Sequence, residues 1–236
     1  MRSQKTFFLD ERGQKPLIIV LVPTRELCLQ VSKEFNRLKN SPNEFRVLSI
    51  YGGTSIHAQI SQLRQGVEVV VGTPGRVMDL QDRGQLSFRA LECFVLDELD
   101  QMLNFGFHED IEKILRSART EIESHGRSPD NIQYLLFSAT VPQWVHRIAQ
   151  KFMKRDYLMV DMIKNQKVRT SKTVKHFSIN FPNHDSKIRA IGDVLMVYGG
   201  THSRTIIFTD RKVEANKIML EGQLKVECNV LHGDIP

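Results

Sequence analysis

Short apolar runs alternate with longer amphipathic stretches along the chain. The runs predict strands at residues 17–22, 46–51, 68–72, 93–96, 134–137, 158–160, 174–181, 204–208 and 226–231. Several of them are apolar at consecutive positions rather than at alternate ones. That pattern is typical of strands that are covered on both faces, as in a parallel sheet.

Amphipathic helices are predicted between these strands. Apolar residues recur at spacings of three and four in residues 25–39, 108–118 and 142–152. Strand and helix alternating at this pace indicate βαβ units with right-handed crossovers. The pattern therefore predicts an α/β fold built on parallel sheets.

Composition excludes several classes of protein. The chain has 236 residues, of which 41% are hydrophobic, and 33 Lys and Arg against 27 Asp and Glu give a net charge of +6. This is typical of a folded globular chain, and the charge permits a polyanionic partner without requiring one. The longest aliphatic run, residues 17–22, is far shorter than the roughly 20 residues of a membrane span. We therefore expect no membrane association.

The cysteines favour a reducing, intracellular compartment. Cys28, Cys93 and Cys228 lie far apart in apolar contexts and form no C-x-x-C pair. Neither a disulfide framework nor a zinc site is indicated.

A shift in charge predicts two domains. Between residues 164 and 184 the chain carries Lys and Arg but no acidic residue. We interpret residues 163–173 as a short basic linker between a first domain, residues 1–162, and a second one, residues 174–236. A solvated linker and a segment that follows a phosphate backbone are both compatible with this charge.

The strongest chemical signal is the acidic cluster Asp97-Glu98-Leu99-Asp100, which follows an apolar strand. Ligands of open α/β sheets bind beyond the carboxyl ends of the strands. An Asp at that position can hold Mg²⁺ against nucleotide phosphates, and a neighbouring Glu can orient a water. On its own the cluster is also compatible with the cap of the next helix.

Polar turns that follow the other strands favour the first interpretation. They are Pro23-Thr24-Arg25-Glu26-Leu27, Gly52-Gly53-Thr54, Thr73-Pro74-Gly75-Arg76 and Ser138-Ala139-Thr140. In a parallel sheet these turns share one edge with the acidic cluster. Backbone N–H groups at helix starts suit phosphate oxygens, and Arg25 and Arg76 add charge-assisted donors.

With these motifs in this order, the sequence resembles the DEAD-box ATP-dependent RNA helicases of superfamily 2. The turns and the acidic cluster match the family's motifs Ia, GG, Ib, II and III. Two later segments, Ile206-Ile207-Phe208-Thr209 and Leu231-His232-Gly233-Asp234, resemble motif IV and the segment that follows it. The sequence around Asp97 and the last six residues most resemble the nucleolar Gu-type subgroup, which implies a nucleolar location.

The resemblance implies two RecA-like parallel-sheet domains, ATP and Mg²⁺ as cofactors, and RNA as partner. It implies that Asp97 coordinates Mg²⁺ and contacts the nucleotide together with Glu98, which positions the attacking water. It implies that Asp100 contacts motif III, where Ser138 and Thr140 couple nucleotide state to strand separation. The residues implied to contact RNA are Thr24, Arg25, Gly53, Thr73, Gly75, Arg76, Thr209, His232 and Gly233. Leu99 replaces the Ala of the family's four-letter motif, with little effect expected on the chemistry.

The chain lacks several family motifs. No G-x-x-x-x-G-K-[ST] loop occurs in it, and the Q motif and motifs V and VI are absent as well. We therefore expect both domains to be incomplete and ATP binding to be weak, since that loop cradles the phosphates. By resemblance, the missing strand lies beside the one that ends at Leu96, so an interrupted sheet is expected.

Two functions follow from this sequence. In the first, the chain represents an ATP-dependent RNA helicase that couples hydrolysis to duplex unwinding. In the alternative, it is a truncated, non-hydrolysing protein that binds RNA or a partner and competes with the intact helicase.

Overall fold

The computed structural model describes residues 15–42, 44–162, 173–199, 204–220 and 227–235. The chain divides into two compact units, Met1–Val160 and Asp161–Pro236. The predicted linker, residues 163–173, lies outside the described residues apart from its last position.

The first unit is built on a five-stranded parallel sheet, which confirms the predicted α/β class. Its strands are β1 (Ile18–Leu21), β2 (Val47–Ile50), β3 (Val69–Gly72), β4 (Cys93–Leu96) and β5 (Gln133–Leu136). Their order across the sheet is β2-β3-β1-β4-β5, and every neighbouring pair is parallel.

The expected interruption beside Leu96 is wrong. Strand β4 pairs with β1 on one side and with β5 on the other, so the backbone of Leu96 lies inside a continuous sheet. Within the described residues, the sheet ends at β2 and at β5. The position beside β4 that was expected to be empty is occupied by β5, which pairs with β4 along its whole length.

Helices cover both faces of this sheet. They are α1 (Arg25–Arg37), α2 (Ile56–Arg64), α3 (Pro74–Asp82), α4 (Leu99–Asn104), α5 (His108–Ser124) and α6 (Gln143–Phe152), and a 3₁₀ turn at Pro129–Asn131 precedes β5. Successive side chains of β1 point to opposite faces of the sheet and are apolar on both, so both faces must be covered. Ile19 and Leu21 belong to the larger core cluster, whereas Val20 and Val22 belong to the smaller one, against which α1 packs. A strand with apolar side chains on both faces is stable only between two helical layers.

Gly72, the last residue of β3, is packed so closely that there is no room for a side chain. A Cβ there would lie 2.6 Å from Ile50 Cγ1, 2.6 Å from Val77 Cγ2 and 3.0 Å from the Ile50 carbonyl oxygen. We expect Gly72→Ala to lower the free energy of unfolding by about 1–3 kcal/mol through overpacking. Urea unfolding followed by circular dichroism measures this. Gly75→Ala is the matched control, since a Cβ at Gly75 meets nothing within 4 Å, and equal effects of the two substitutions would contradict the packing argument.

The second unit contains α7 (His184–Val194), a π-helical turn at Leu195–Gly199 and α8 (Lys212–Leu220). Asn183 caps α7, because its side-chain oxygen accepts a hydrogen bond from the Ser186 N–H at 2.9 Å. Ile188 on this helix is buried.

Four predicted strands are wrong among the described residues. Residues 158–160, 174–181, 204–208 and 227–231 form no strand, and position 226 lies outside the described residues. Their apolar side chains are largely exposed; Phe208, for example, is 91% exposed. An apolar, β-branched run becomes a strand only when a neighbouring strand pairs with it, and no such pairing forms for these segments.

No helix in the described part of the chain is both long and apolar enough to cross a membrane.

Candidate functional site

The five strands of the first unit end level with one another. In the pairing register, Ile50 and Leu21 both lie opposite Gly72, and Leu96 lies opposite both Leu21 and Leu136. The turns that follow these residues therefore emerge side by side at the carboxyl edge of one sheet. This confirms the prediction that the acidic cluster and the polar turns share one edge.

Asp97 and Glu98 lie at the centre of this edge, directly after β4. The Asp97 N–H donates to the Leu21 carbonyl at 3.0 Å, which continues the pairing with β1 past the end of the strand. The Asp97 carboxylate is half-buried and accepts a hydrogen bond from the Glu98 N–H at 2.9 Å. Its position is thus fixed by backbone on both sides.

Glu98 has an unusual backbone conformation. Its φ and ψ are 49° and 49°, in the left-handed region, and it is the only non-glycine residue with positive φ in the described part of the chain. Such a conformation costs about 1–3 kcal/mol, and residues of this kind cluster at functional sites. It turns the chain sharply from β4 into α4 and leaves the Glu98 side chain exposed at the edge.

Asp100 joins the acidic cluster to the turn after β5. Its carboxylate accepts from the Thr140 N–H at 3.0 Å and from the Thr140 hydroxyl at 2.8 Å. Its own N–H donates to the Ser138 hydroxyl at 3.2 Å, and that hydroxyl donates to the Thr140 carbonyl at 2.5 Å. The Leu99 N–H adds a bond to the Phe137 carbonyl at 3.1 Å. These hydrogen bonds join the two segments.

The hydrogen bonds of this network favour the charged form of Asp100. Burial raises the pKa of its carboxyl, but hydrogen bonds from Thr140 and from the Gln101 N–H outweigh that effect and hold the pKa below its usual range. A carboxyl whose pKa is lowered by folding stabilises the fold above its unfolded pKa and loses that contribution as the pH falls through the folded value.

We therefore expect the contact between Asp100 and Thr140 to weaken only below about pH 4, the ordinary pKa of an Asp. The Thr140 amide resonance, followed by NMR during acid titration, should shift with a midpoint below that of an unperturbed Asp. In Asp100→Asn this titration should disappear. A midpoint at or above the ordinary Asp value would contradict the hydrogen-bond assignment.

The turn after β1 presents the start of α1. Thr24 is the N-cap of this helix, and its hydroxyl accepts from the Leu27 N–H at 3.2 Å. The exposed Arg25 guanidinium lies 5.0 Å from the centre of the Tyr51 ring, a cation–π contact that holds it next to the turn after β2.

The turns after β2 and β3 are linked to each other. Gly53 adopts a φ of 78°, which glycine reaches without strain. Arg76, in the first turn of α3, donates to the Thr54 carbonyl at 3.2 and 3.3 Å. Thr73 precedes α3 as its N-cap, with its N–H bonded to the Ile50 carbonyl at 3.0 Å. Gly75 is exposed within the first turn.

Gln59 completes this link and is not among the site residues predicted from the sequence. Its side chain bonds to Arg76, Thr54 and the Tyr51 carbonyl. A signal was present in the sequence, because Gln59 lies one helical turn before the apolar Leu63 on the inward face of α2. A polar residue at such a position has a specific partner more often than not.

Three predicted site residues lie in the second unit. The Thr209 hydroxyl donates to the Arg211 carbonyl at 3.2 Å. His232 Nε2 lies 3.1 Å from Asn216 Oδ1, and Gly233 lies beside Lys212, whose ammonium pairs with Asp234 at 2.6 Å. These residues form a small polar group at α8.

The donor set at Asp97 fits Mg²⁺. This ion prefers carboxylate oxygens and is usually held by one or two carboxylates together with water and substrate phosphates. No cluster of three or more His, Cys, Asp or Glu side chains with metal-binding geometry occurs among the described residues. Mg²⁺ held by Asp97 would take its further ligands from water and phosphate oxygens.

Comparison with known proteins agrees with this geometry. A family model described as "DEAD/DEAH box helicase" matches residues 5–148. The mouse protein named "ATP-dependent RNA helicase DDX50" is 41% identical over 235 residues, which are 99% of this chain and 30% of that protein. Rat "Nucleolar RNA helicase 2" is 42% identical over 226 residues, 96% of this chain and 28% of that protein. The chain thus spans about 30% of the length of these curated relatives.

Solved structures show the same similarity. A crystal structure of the yeast DEAD-box splicing factor Prp28 has a TM-score of 0.55 and 32% identity, covering 60% of this chain and 32% of that one. A hypothetical ATP-dependent RNA helicase from Sulfolobus tokodaii has a TM-score of 0.51 and 31% identity, covering 59% of this chain and 39% of that one.

Proposed function

The chain belongs to the DEAD/DEAH box helicase family, and we propose that it carries part of the RNA-binding and ATP-hydrolysing surface of an ATP-dependent RNA helicase. The observation that supports this most directly is the level ending of the five strands. It gathers Asp97, Ser138, Thr24 and Arg76 at one edge, where a nucleotide and an RNA strand can be contacted by the same sheet.

In this proposal the RNA backbone lies along the turns after β1, β2 and β3. The N-termini of α1 and α3 direct backbone N–H groups and positive dipole ends outward, which suits phosphate oxygens. The residues proposed to contact RNA there are Thr24, Arg25, Gly53, Thr73, Gly75 and Arg76. Since these residues would contact phosphate and sugar rather than base edges, RNA binding would be largely independent of the RNA sequence.

The acidic cluster serves the nucleotide. Asp97 would hold Mg²⁺, and the exposed Glu98 carboxylate would accept a proton from the attacking water. Bound Mg²⁺ supplies neutralisation of the charge on the phosphates. Asp100, fixed to Ser138 and Thr140, would transmit a change at Asp97 to the turn after β5. Nucleotide binding by these residues alone would be weak, because no phosphate-cradling loop occurs among these 236 residues.

The second unit extends the proposed RNA contacts. We propose that the RNA backbone is also contacted by Thr209, His232 and Gly233, since their segments resemble the family's second-domain motifs. Relatives bearing the name "Nucleolar RNA helicase 2" support a nucleolar location for this protein as well.

An RNA-stimulated ATPase assay on the chain, with Glu98→Gln as control, tests the enzymatic part. General acid–base groups contribute about 10²–10⁴-fold to rates, so Glu98→Gln should lower any genuine turnover by at least about 100-fold. We expect slow turnover that this substitution abolishes. RNA binding without turnover above background would instead favour the alternative, a non-hydrolysing protein that competes with an intact helicase.

A further inference from the structure

Gln59 is a buried amide that connects two turns of the proposed RNA-binding edge. Its side chain is on α2, and the residue is only 6% exposed. Nε2 donates to the Tyr51 carbonyl at 3.1 Å and to the Thr54 hydroxyl at 2.8 Å. Oε1 accepts from Arg76 Nη1 at 3.0 Å. One side chain therefore reaches the turn after β2 and the first turn of α3.

The chemistry of the partners fixes which way this amide points. A guanidinium offers only donors, and a backbone carbonyl only accepts. Oε1 must therefore face Arg76, and Nε2 must face Tyr51. Glutamate would keep the acceptor for Arg76 and lose the donor, whereas an apolar side chain would lose both and leave only the bonds that Thr54 makes to the Tyr51 carbonyl and to Arg76.

The same contacts hold Arg76 in one place. Its guanidinium bonds to the Thr54 carbonyl through both terminal nitrogens and to Gln59 through one of them. A long, flexible side chain is thereby kept in one orientation before any ligand arrives. Such preorganisation increases affinity because less conformational freedom is lost on binding.

We propose that Gln59 is a positioning residue that locks the Gly52-Gly53-Thr54 turn to Arg76, so that both meet the RNA backbone as one rigid surface. This inference rests on the proposed function for its RNA part only. The locking itself is a property of the protein without RNA, which makes the two separable by experiment.

The test compares Gln59→Leu, Gln59→Glu and the control Gln62→Leu in the full chain. Gln62 is exposed on the same helix. Hydrogen exchange, read by mass spectrometry, reports on peptides that cover the two turns and on peptides from β1 and β3. Fluorescence anisotropy with an end-labelled oligouridine reports RNA affinity.

We expect Gln59→Leu to accelerate exchange in both turns, to leave β1 and β3 protected, and to weaken RNA binding about threefold, because the freed Arg76 side chain must then be ordered on binding. Gln59→Glu retains the acceptor for Arg76, so it should recover most of the affinity. Gln62→Leu should match the unsubstituted chain in both measurements.

Three outcomes would overturn the proposal. Unchanged exchange in the two turns of Gln59→Leu would show that Gln59 does not lock them. Equal acceleration in β1, β3 and the turns would show a role in core stability alone. Equal loss of affinity in Gln59→Glu and Gln59→Leu would exclude the contact with Arg76 as its cause. If the unsubstituted chain does not bind RNA, the proposed function fails, and the exchange data still decide the positioning role.

Discussion

Replacing Arg25 and Arg76 together by alanine is expected to lower the affinity for single-stranded RNA by about 30- to 150-fold, if each charge-assisted contact contributes about 1–1.5 kcal/mol. Both side chains lie at the carboxyl edge of the sheet, at the starts of α1 and α3. The slope of log affinity against log salt should also fall by about 1.4, since each lost phosphate contact removes about 0.7 on a single strand.

The same two helices supply a matched control. Arg37 ends α1 and Arg83 follows the end of α3, at the opposite edge of the sheet. Arg37→Ala with Arg83→Ala removes the same charge from the same elements. Fluorescence anisotropy titrations at several salt concentrations measure the RNA affinity of both double variants and its dependence on salt. Equal losses of affinity would mean that net charge, rather than the carboxyl edge, binds the RNA.

Phe94→Ala is expected to lower the free energy of unfolding by about 3–5 kcal/mol. Phe94 is fully buried in β4, and its ring stacks on that of Tyr134 in β5 at a centroid distance of 6.2 Å. The substitution leaves a cavity between the sheet and its helices. Since domains of this size are stable by only about 5–15 kcal/mol, much of the stability would be lost.

Chemical unfolding followed by circular dichroism measures that loss. Phe105→Ala is the control, because this ring is 55% exposed just beyond α4. Its substitution should change the free energy of unfolding by no more than about 0.5 kcal/mol. A loss below about 1 kcal/mol for Phe94→Ala would contradict the continuous sheet in which β4 is an inner strand.

The sequence pattern predicted the first unit well and the strands of the second unit poorly. The run at β1 and the run Ile206-Ile207-Phe208 look alike, since both are apolar at consecutive positions. They differ in strand pairing, because β1 pairs with both β3 and β4 whereas residues 204–208 pair with no strand among the described residues. Hydrophobic pattern describes a segment alone, and pairing depends on residues elsewhere in the chain.

The order of the strands was equally hidden from the sequence. Resemblance to the family suggested a gap beside Leu96, but β5 occupies the position that had been expected to be empty. The hydrophobic pattern of a segment does not determine which strands become its neighbours. The order of the strands therefore becomes known only from the pairing in the whole sheet.

The candidate site was predictable wherever a turn directly follows a strand. Thr24, Arg76, Asp97 and Ser138 all belong to such turns, and parallel pairing alone places them together. Gln59 was not predicted because it lies within α2 and not in a turn that follows a strand. It contacts the turn after β2 and the first turn of α3 through its side chain. Its spacing from Leu63 indicates an inward-facing position, but its three partners lie in other segments and only the structure identifies them.

Photo-crosslinking of the chain to thiouridine-containing RNA, followed by peptide mapping, tests the central claim most directly. We predict crosslinks in peptides that contain Thr24, Gly53 and Arg76, with efficiency reduced in the Arg25→Ala, Arg76→Ala double variant. Crosslinks within the first unit that concentrate instead at Arg37, Arg64 and Arg83 would place the RNA at the opposite edge of the sheet and contradict the proposed function.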